Sequence, residues 1–172
     1  MGGVTPDPEQ MNTGAFRPVS RSVDRVASAV SEEDTMDIEA TATINCPVAR
    51  VWDFCVVHHA ENHPRWDPDI RLEQRTEGPV AKGTVFDRWN SRYQTPTAGR
   101  MEVTGFDPER SMHMLIQDGP ITTRGRFVLA PDGPDRTRLT IGGEFPGMDD
   151  SMAEKIRPLM QRSLETIRGF LE

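Results

Sequence analysis

Residues 149–171, DDSMAEKIRPLMQRSLETIRGFL, form the stretch of sequence that decides the fold. Apolar side chains recur in it at helical spacing, and Asp149 or Ser151 can cap its first turn. The pattern predicts one long amphipathic helix, which Pro158 should bend or interrupt one turn in. The residues of the apolar stripe are Met152, Ile156, Leu159, Met160, Ser163, Leu164, Ile167 and Phe170.

Six segments with strand character precede this helix, and turn signals such as Asp118-Gly119-Pro120 separate them. Their connections are short, so neighbouring strands should pair antiparallel. The apolar face of such a sheet needs a cover, and the C-terminal helix is the only element able to supply it. The predicted strands span residues 70–76, 84–93, 100–106, 112–117, 121–130 and 137–145.

One further strand and two short helices open the ordered part of the chain. Alternating apolar residues over 36–44 predict a half-buried strand, and Pro47 suits the first position of a helix over 47–57 that buries Trp52. Pro64 limits the second helix to a few residues. The predicted fold class is therefore α+β: a curved seven-stranded antiparallel sheet around a long C-terminal helix, with two short helices after the first strand.

The segment before this domain has a different composition. Residues 1–35 are rich in Pro, Ser, Thr, Asp and Glu, which predicts a disordered tail with an optional short helix over 21–31. Residues 36–172 should form a single domain. The net charge of −7 argues against nucleic-acid binding, and no apolar run approaches the ~18 residues of a membrane span. We expect a cytoplasmic protein, monomeric or homodimeric, with no cofactor.

Three histidines, His58, His59 and His63, fall close together in the second short helix. A separation of four residues can place two imidazoles on one helical face as metal ligands. The helix is short, however, and no third ligand is evident except Glu61 or Asp67. We therefore predict a solvated helix end and no metal.

The strand over residues 84–93 is compatible with two orientations. One turns Asp87, Trp89 and Tyr93 towards the helix together with Val85, and the other turns Phe86, Arg88, Asn90 and Arg92 there. A bulge could reconcile the two. Either orientation brings an ionisable group into an apolar interior, which makes it a site candidate. The catalytic candidates are Asp87, Arg88, Asn90 and Tyr93.

The other strands point their apolar residues consistently to one side, so they predict which side chains surround an internal cavity. Methionines are frequent among them, and this flexible side chain adapts to irregular apolar shapes. Trp66, between two prolines, should wedge between the short helices and the sheet, with ligand contact as the alternative. The ligand-binding candidates are Trp66, Phe86, Arg88, Trp89, Met101, Met112, Met114, Thr123, Phe127, Met160 and Leu164.

Six spaced motifs follow one another along the chain: INCPVARVWDF (44–54), ENHPRWDPDI (61–70), EGPVAKGTVF (77–86), VTGFDPERSMHM (103–114), GRFVLAPDG (125–133) and TRLTIGGEF (137–145). In this order they resemble the SRPBCC (START/Bet v1-like) superfamily, in its polyketide cyclase/dehydrase branch. The resemblance covers roughly residues 36–172 and implies a helix-grip fold with a cavity between the sheet and the C-terminal helix. It implies no shared set of catalytic residues.

Three functions follow from these observations. The first is binding of a small hydrophobic molecule in the internal cavity. The second is a cyclase or dehydratase acting on a polyketide-type or acyl substrate, in which polar groups of the cavity move protons. The third is a protein-interaction module without a ligand.

Overall fold

The structure, a computed structural model, describes residues 35–92 and 95–172. Seven strands and three α-helices occur in the order that the sequence predicts, so this prediction is confirmed. A π-helical turn over Asp53–Val57 follows the first helix directly. The elements are β1 (Thr35–Ile44), α1 (Val48–Trp52), α2 (His59–Trp66), β2 (Ile70–Gln74), β3 (Val85–Asn90), β4 (Thr97–Asp107), β5 (Ser111–Asp118), β6 (Ile121–Pro131), β7 (Thr137–Pro146) and α3 (Asp150–Leu171).

All strands belong to one antiparallel sheet with the order β1-β7-β6-β5-β4-β3-β2. Strands β2 to β7 follow one another as neighbours because their connections are short. Strand β1 pairs with β7 over its whole length, from Thr35 opposite Pro146 to Ile44 opposite Thr137. Among the described residues, the only register shift in the pairings lies in β4, between Val103 and Gly105, and β3 pairs without a bulge over Val85–Asn90.

The helices cover one face of the sheet, which we call the inward face. It carries buried side chains such as Ile38, Phe86 and Leu139. Helix α3 packs mainly along β1, α2 packs against β2, and α1 reaches β6. The inward side of β4, β5 and β6 therefore lies between α3 and α2, which is where a ligand space is expected.

Helix α3 begins as the sequence predicts. Asp149 is its N-cap, and its carboxylate accepts a hydrogen bond from the backbone N–H of Met152 at 3.0 Å. The helix continues through Pro158, so the predicted interruption is wrong. Pro158 and Glu154 are both exposed, so water can reach the Glu154 carbonyl that proline leaves without a partner.

Two glycines bring β6 and β7 close together. Gly125 and Gly143 face each other across the two strands on the inward side. A Cβ on Gly143 would collide with the backbone carbonyl of Arg124 and lie 3.3 Å from the ring of Phe145. The space beside Gly143 is thus already occupied.

The predicted tail, with its helix over residues 21–31, lies almost entirely outside the described residues. Within the described ranges, no helix is both long and apolar enough to cross a membrane. Cys46 and Cys55 are buried, unbridged thiols, and burial raises the pKa of both.

Candidate functional site

Strand β3 turns Phe86, Arg88 and Asn90 to the inward face, where all three are buried. The opposite orientation is wrong: Asp87 and Trp89 lie on the outer face. There the guanidinium of Arg71, the partner of Trp89 on β2, lies 3.9 Å from the indole centroid. Of the sequence-predicted candidates on this strand, the structure therefore brings Phe86, Arg88 and Asn90 to the interior.

Arg88 is held on the inward face by a carboxylate from β5. Its Nε lies 2.9 and 3.2 Å from the two carboxylate oxygens of Asp118, and Asn90 donates to the same carboxylate at 2.9 Å. The side chains of Arg88 and Asp118 are only 9% and 12% exposed, so the pair is largely removed from water. We call Arg88, Asn90 and Asp118 the Arg88 cluster.

The terminal end of the guanidinium is left without a protein partner. Asp118 engages only Nε, so both Nη groups of Arg88 have no hydrogen bond to any described residue. Every fully buried side-chain nitrogen or oxygen in the described ranges does have a partner. The Nη groups therefore keep some accessible surface, through which they can donate to an oxygen atom of another molecule.

Helix α2 turns a second polar pair towards the interior. His59, His63 and Trp66 share one face of this helix because they are spaced by about one and two turns. His59 Nδ1 lies 2.7 Å from the carbonyl oxygen of Cys55, and His63 Nδ1 lies 3.3 Å from His59 Nε2. His59 is fully buried, so the predicted solvated helix end is wrong at this position.

These contacts fix which nitrogens carry hydrogen in the neutral rings. A carbonyl oxygen only accepts, so His59 Nδ1 donates to Cys55 and its Nε2 is left to accept. His63 Nδ1 then donates to that nitrogen, which leaves His63 Nε2 as a free acceptor. Burial lowers the pKa of His59 to about 4, and burial with repulsion from His59 and Arg88 lowers the pKa of His63 well below 6.5. Both imidazoles are therefore neutral at pH 7.

Most side chains predicted to surround an open cavity are instead packed tightly. Their exposed fractions do not exceed 6%, so no water-sized space touches more than a trace of their surface. They form the packed core of the domain, and their part in ligand binding stays a prediction. These residues are Trp66, Phe86, Met101, Met112, Met114, Phe127 and Leu164.

The inward face is open at one end, beyond this packed region. Ile121, which pairs with Asp118 across β5 and β6, is 50% exposed although it lies on the inward side. Met152 in the first turn of α3 is also exposed. We call this region the open end; its half-buried members are Met36, Ile116, Thr123, Phe145, Ile156, Leu159 and Met160.

Trp66 lies inside the domain. Its ring contacts Phe54, His63 and Phe127, with centroid distances of 5.5, 5.1 and 6.5 Å. Its backbone carbonyl accepts a hydrogen bond from Ser163 of α3 at 3.4 Å. It thereby joins α2, the sheet and α3, in agreement with a structural wedge.

The catalytic candidate Asp87 lies on the outer face of the sheet. Asp87 pairs with Arg75 at 2.6 Å and borders a shallow outer-face depression of about 290 Å³. Tyr93 lies outside the described residues. Arg92 is exposed beyond the end of β3, where it pairs with Asp67. Within the described residues, no three His, Cys, Asp or Glu side chains are arranged to hold a metal ion.

The sequence patterns do not indicate Asp118 as a site residue, and they indicate His59 and His63 only as possible metal ligands. The turn signal Asp118-Gly119-Pro120 predicts a turn at Asp118, although the alternation Met112, Met114, Ile116 in β5 continues to Asp118 on the inward face. The signal for the histidines was their four-residue spacing. The spacing of Trp66 three residues after His63 would have placed all three on one buried face.

Comparison with known proteins gives one family and several structures of the same fold. The model of the family described as "Polyketide cyclase / dehydrase and lipid transport" matches residues 35–172. A search of curated protein sequences gives no match to this chain.

Among solved structures, the chain is similar to Ara h 8.0201, with a TM-score of 0.64 and 18% identity over 80% of this chain and 97% of the other. It is similar to CalU16 from Micromonospora echinospora, with a TM-score of 0.58 and 16% identity over 80% and 77% of the two chains. The di-domain ARO/CYC BexL from the BE-7585A biosynthetic pathway matches with a TM-score of 0.60 and 13% identity over 78% and 45%. At these identities the likeness concerns the fold.

Proposed function

Because this chain belongs to the polyketide cyclase / dehydrase and lipid transport family, we propose that it binds a small apolar molecule at the open end of its inward face. The observation that carries this proposal is the combination of apolar and polar side chains at the open end. Half-buried apolar side chains such as Phe145 and Met160 lie on the side of the domain that also holds the Arg88 cluster. Small-molecule sites in proteins typically combine an apolar lining with a few placed polar groups.

The packed interior supports this place for the ligand. Phe86 and Met112 are fully buried in a close-packed core, so we propose that a ligand occupies the open end unless core side chains move. Methionine side chains move most readily, because they are unbranched and have several rotatable bonds. A small ligand fits at the open end, and a larger one displaces Met114 and Met160.

The test uses a matched pair of substitutions on β6. Thr123 lies on the inward face at the open end, whereas its neighbour Thr122 is exposed on the outer face. Thr123→Trp fills the proposed site and should weaken binding of 2-naphthol or 2-methoxynaphthalene at least tenfold in titration calorimetry. Thr122→Trp should leave the affinity unchanged. Equal effects of the two substitutions, or no binding to the unsubstituted protein, would contradict the proposal.

A second candidate function is catalysis of a cyclase or dehydratase type. The specific observation in its favour is that Arg88, with free N–H donors, and the neutral imidazole of His63 lie on the same side of the domain. Such a pair can stabilise a developing negative charge and accept a proton. Conversion of a bound carbonyl compound that is lost in both Arg88→Met and His63→Phe would favour this function over binding alone.

A further inference from the structure

The pair formed by buried His59 and half-buried His63 ends in one nitrogen, His63 Nε2, that no protein group uses. His59 Nε2 accepts a hydrogen bond from His63 Nδ1–H. In the neutral ring, His63 Nε2 therefore carries a lone pair and no hydrogen. No hydrogen bond to it is formed within the described ranges, and no fully buried polar side-chain atom there lacks a partner. His63 Nε2 therefore keeps an accessible surface.

The position of His63 places its imidazole on the face of α2 that packs against the sheet. His59 and Trp66, which flank His63 on the same face of α2, are both buried against the sheet. The ring of His63 lies 5.1 Å from that of Trp66, which in turn contacts Phe127 on the inward face, and the charge of Arg88 contributes to the lowered pKa of His63. His63 Nε2 is a hydrogen-bond acceptor, and the Arg88 guanidinium is a donor.

We propose that His63 Nε2 accepts a hydrogen bond from a hydroxyl group of the bound molecule, so that the site selects apolar compounds with a phenolic or enolic O–H. This inference rests on the proposed binding function and adds the chemical class of the ligand. His59 is a positioning residue: through the Cys55 carbonyl it fixes which nitrogen of His63 accepts.

Charge balance favours a neutral hydroxyl over a carboxylate. Asp118 already neutralises Arg88, and both imidazoles are uncharged. A buried carboxylate would therefore add a net negative charge to a largely dehydrated region, which is costly. A neutral O–H donor satisfies His63 without adding charge.

The experiment compares 2-naphthol with 2-methoxynaphthalene, which has the same ring system but no O–H. We expect the protein to bind 2-naphthol about tenfold more tightly, because the bound ether covers the His63 acceptor without donating a hydrogen bond to it. In His63→Phe the two affinities should become equal, and His63→Gln, which keeps an acceptor oxygen, should retain part of the preference. His58→Phe, an exposed histidine next to the same helix, is the control and should keep the full preference.

A pH series separates this role from a merely structural one. The charged or titratable groups that lower the pKa of His63 are His59, Arg88 and Arg92. Arg88 lies on β3 and pairs with Asp118, and Arg92 follows β3 and pairs with Asp67. Strand β2 turns the uncharged side chains of Ile70 and Leu72 to the inward side, and the uncharged Ser163 of α3 donates to the Trp66 carbonyl. The tenfold preference for 2-naphthol over 2-methoxynaphthalene should stay constant from pH 8 to pH 6. It should decrease only at pH values below 6, where His63 becomes protonated.

Four results would overturn the proposal. Equal binding of both compounds to the unsubstituted protein, or an unchanged preference in His63→Phe, would contradict hydroxyl recognition while leaving the binding function intact. Loss of the preference with a midpoint near pH 6.5 would mean that an ordinary, solvated histidine is responsible. If neither compound binds, the binding function fails together with this inference.

Discussion

Arg88 depends on Asp118, because the pair is largely withdrawn from water. Asp118→Ala leaves a buried cation without a counter-charge, and we expect it to lower the free energy of unfolding by about 3 kcal/mol in urea titration. The double substitution Arg88→Met/Asp118→Leu removes both charges and should recover most of this loss. An equally large loss in the double variant would contradict this account of the pair.

An exposed ion pair provides the control. Glu144 pairs with Arg124 at 3.2 Å on the outer face, and both side chains are substantially exposed. Glu144→Ala should lower the free energy of unfolding by less than about 1 kcal/mol, because water screens the interaction and solvates the remaining charge.

His59 makes the stability of the domain depend on pH. The pKa of His59 is about 4 in the folded protein and 6.5 in the unfolded chain. Between these two pH values the unfolded chain binds a proton at His59, whereas the folded protein does not. The free energy of unfolding should therefore fall as the pH decreases, with about 1 kcal/mol from His59 between pH 7 and pH 5.5. His59→Phe should show a weaker dependence in urea titrations at both pH values; an identical dependence would contradict burial of a neutral imidazole.

At the scale of single residues, the sequence indicated Arg88 and Asn90 as candidates but not their partner. A buried arginine needs a counter-charge, and the alternation of β5 places Asp118 on the same face as Ile116. The sequence does not indicate Asp118 as this partner, because Asp118-Gly119-Pro120 is also a strong turn signal. The hydrogen bond between His59 and Cys55 depends on the π-helical turn, which sequence periodicity does not reveal.

At the scale of elements, replacing glycine by alanine should have opposite effects on the free energy of unfolding in β7 and in α3. Gly143→Ala puts a methyl group against the Arg124 carbonyl and should lower the free energy of unfolding by about 1–3 kcal/mol. Gly169 lies within α3 with no atom near its potential Cβ, so Gly169→Ala should raise that free energy by about 0.5–1 kcal/mol. Thermal and urea unfolding measure both effects, and a change of the same sign in the two variants would contradict the packing described for β7.

Element order and type could be predicted because turn signals and periodicity are local properties. The orientation of β3 could not, because both of its faces carry large side chains: Phe86 on one and Trp89 on the other. Tertiary contacts decide it, since the ring of Trp89 is covered by Arg71 of the neighbouring strand. The continuity of α3 through Pro158 likewise depends on the exposure of that turn to water.

At the scale of the whole molecule, the family resemblance predicted the helix-grip fold and a cavity between the sheet and α3. The fold is confirmed, but the centre of the interior is filled by aromatic, leucine and methionine side chains. Filling depends on the sizes of side chains from many elements at once, so sequence patterns do not predict it. What remains for a ligand is the open end beside the Arg88 cluster.

The three tryptophans of the chain provide the most direct test, because they report on different regions. Trp66 lies on the inward side near His63, Trp52 packs against Phe106, and Trp89 lies on the outer face. Fluorine NMR of protein labelled with fluorotryptophan should show the Trp66 resonance shifting as 2-naphthol is added, while the Trp89 resonance stays in place. A shift of Trp89 alone, or no shift of Trp66 at saturation, would contradict ligand binding at the inward face.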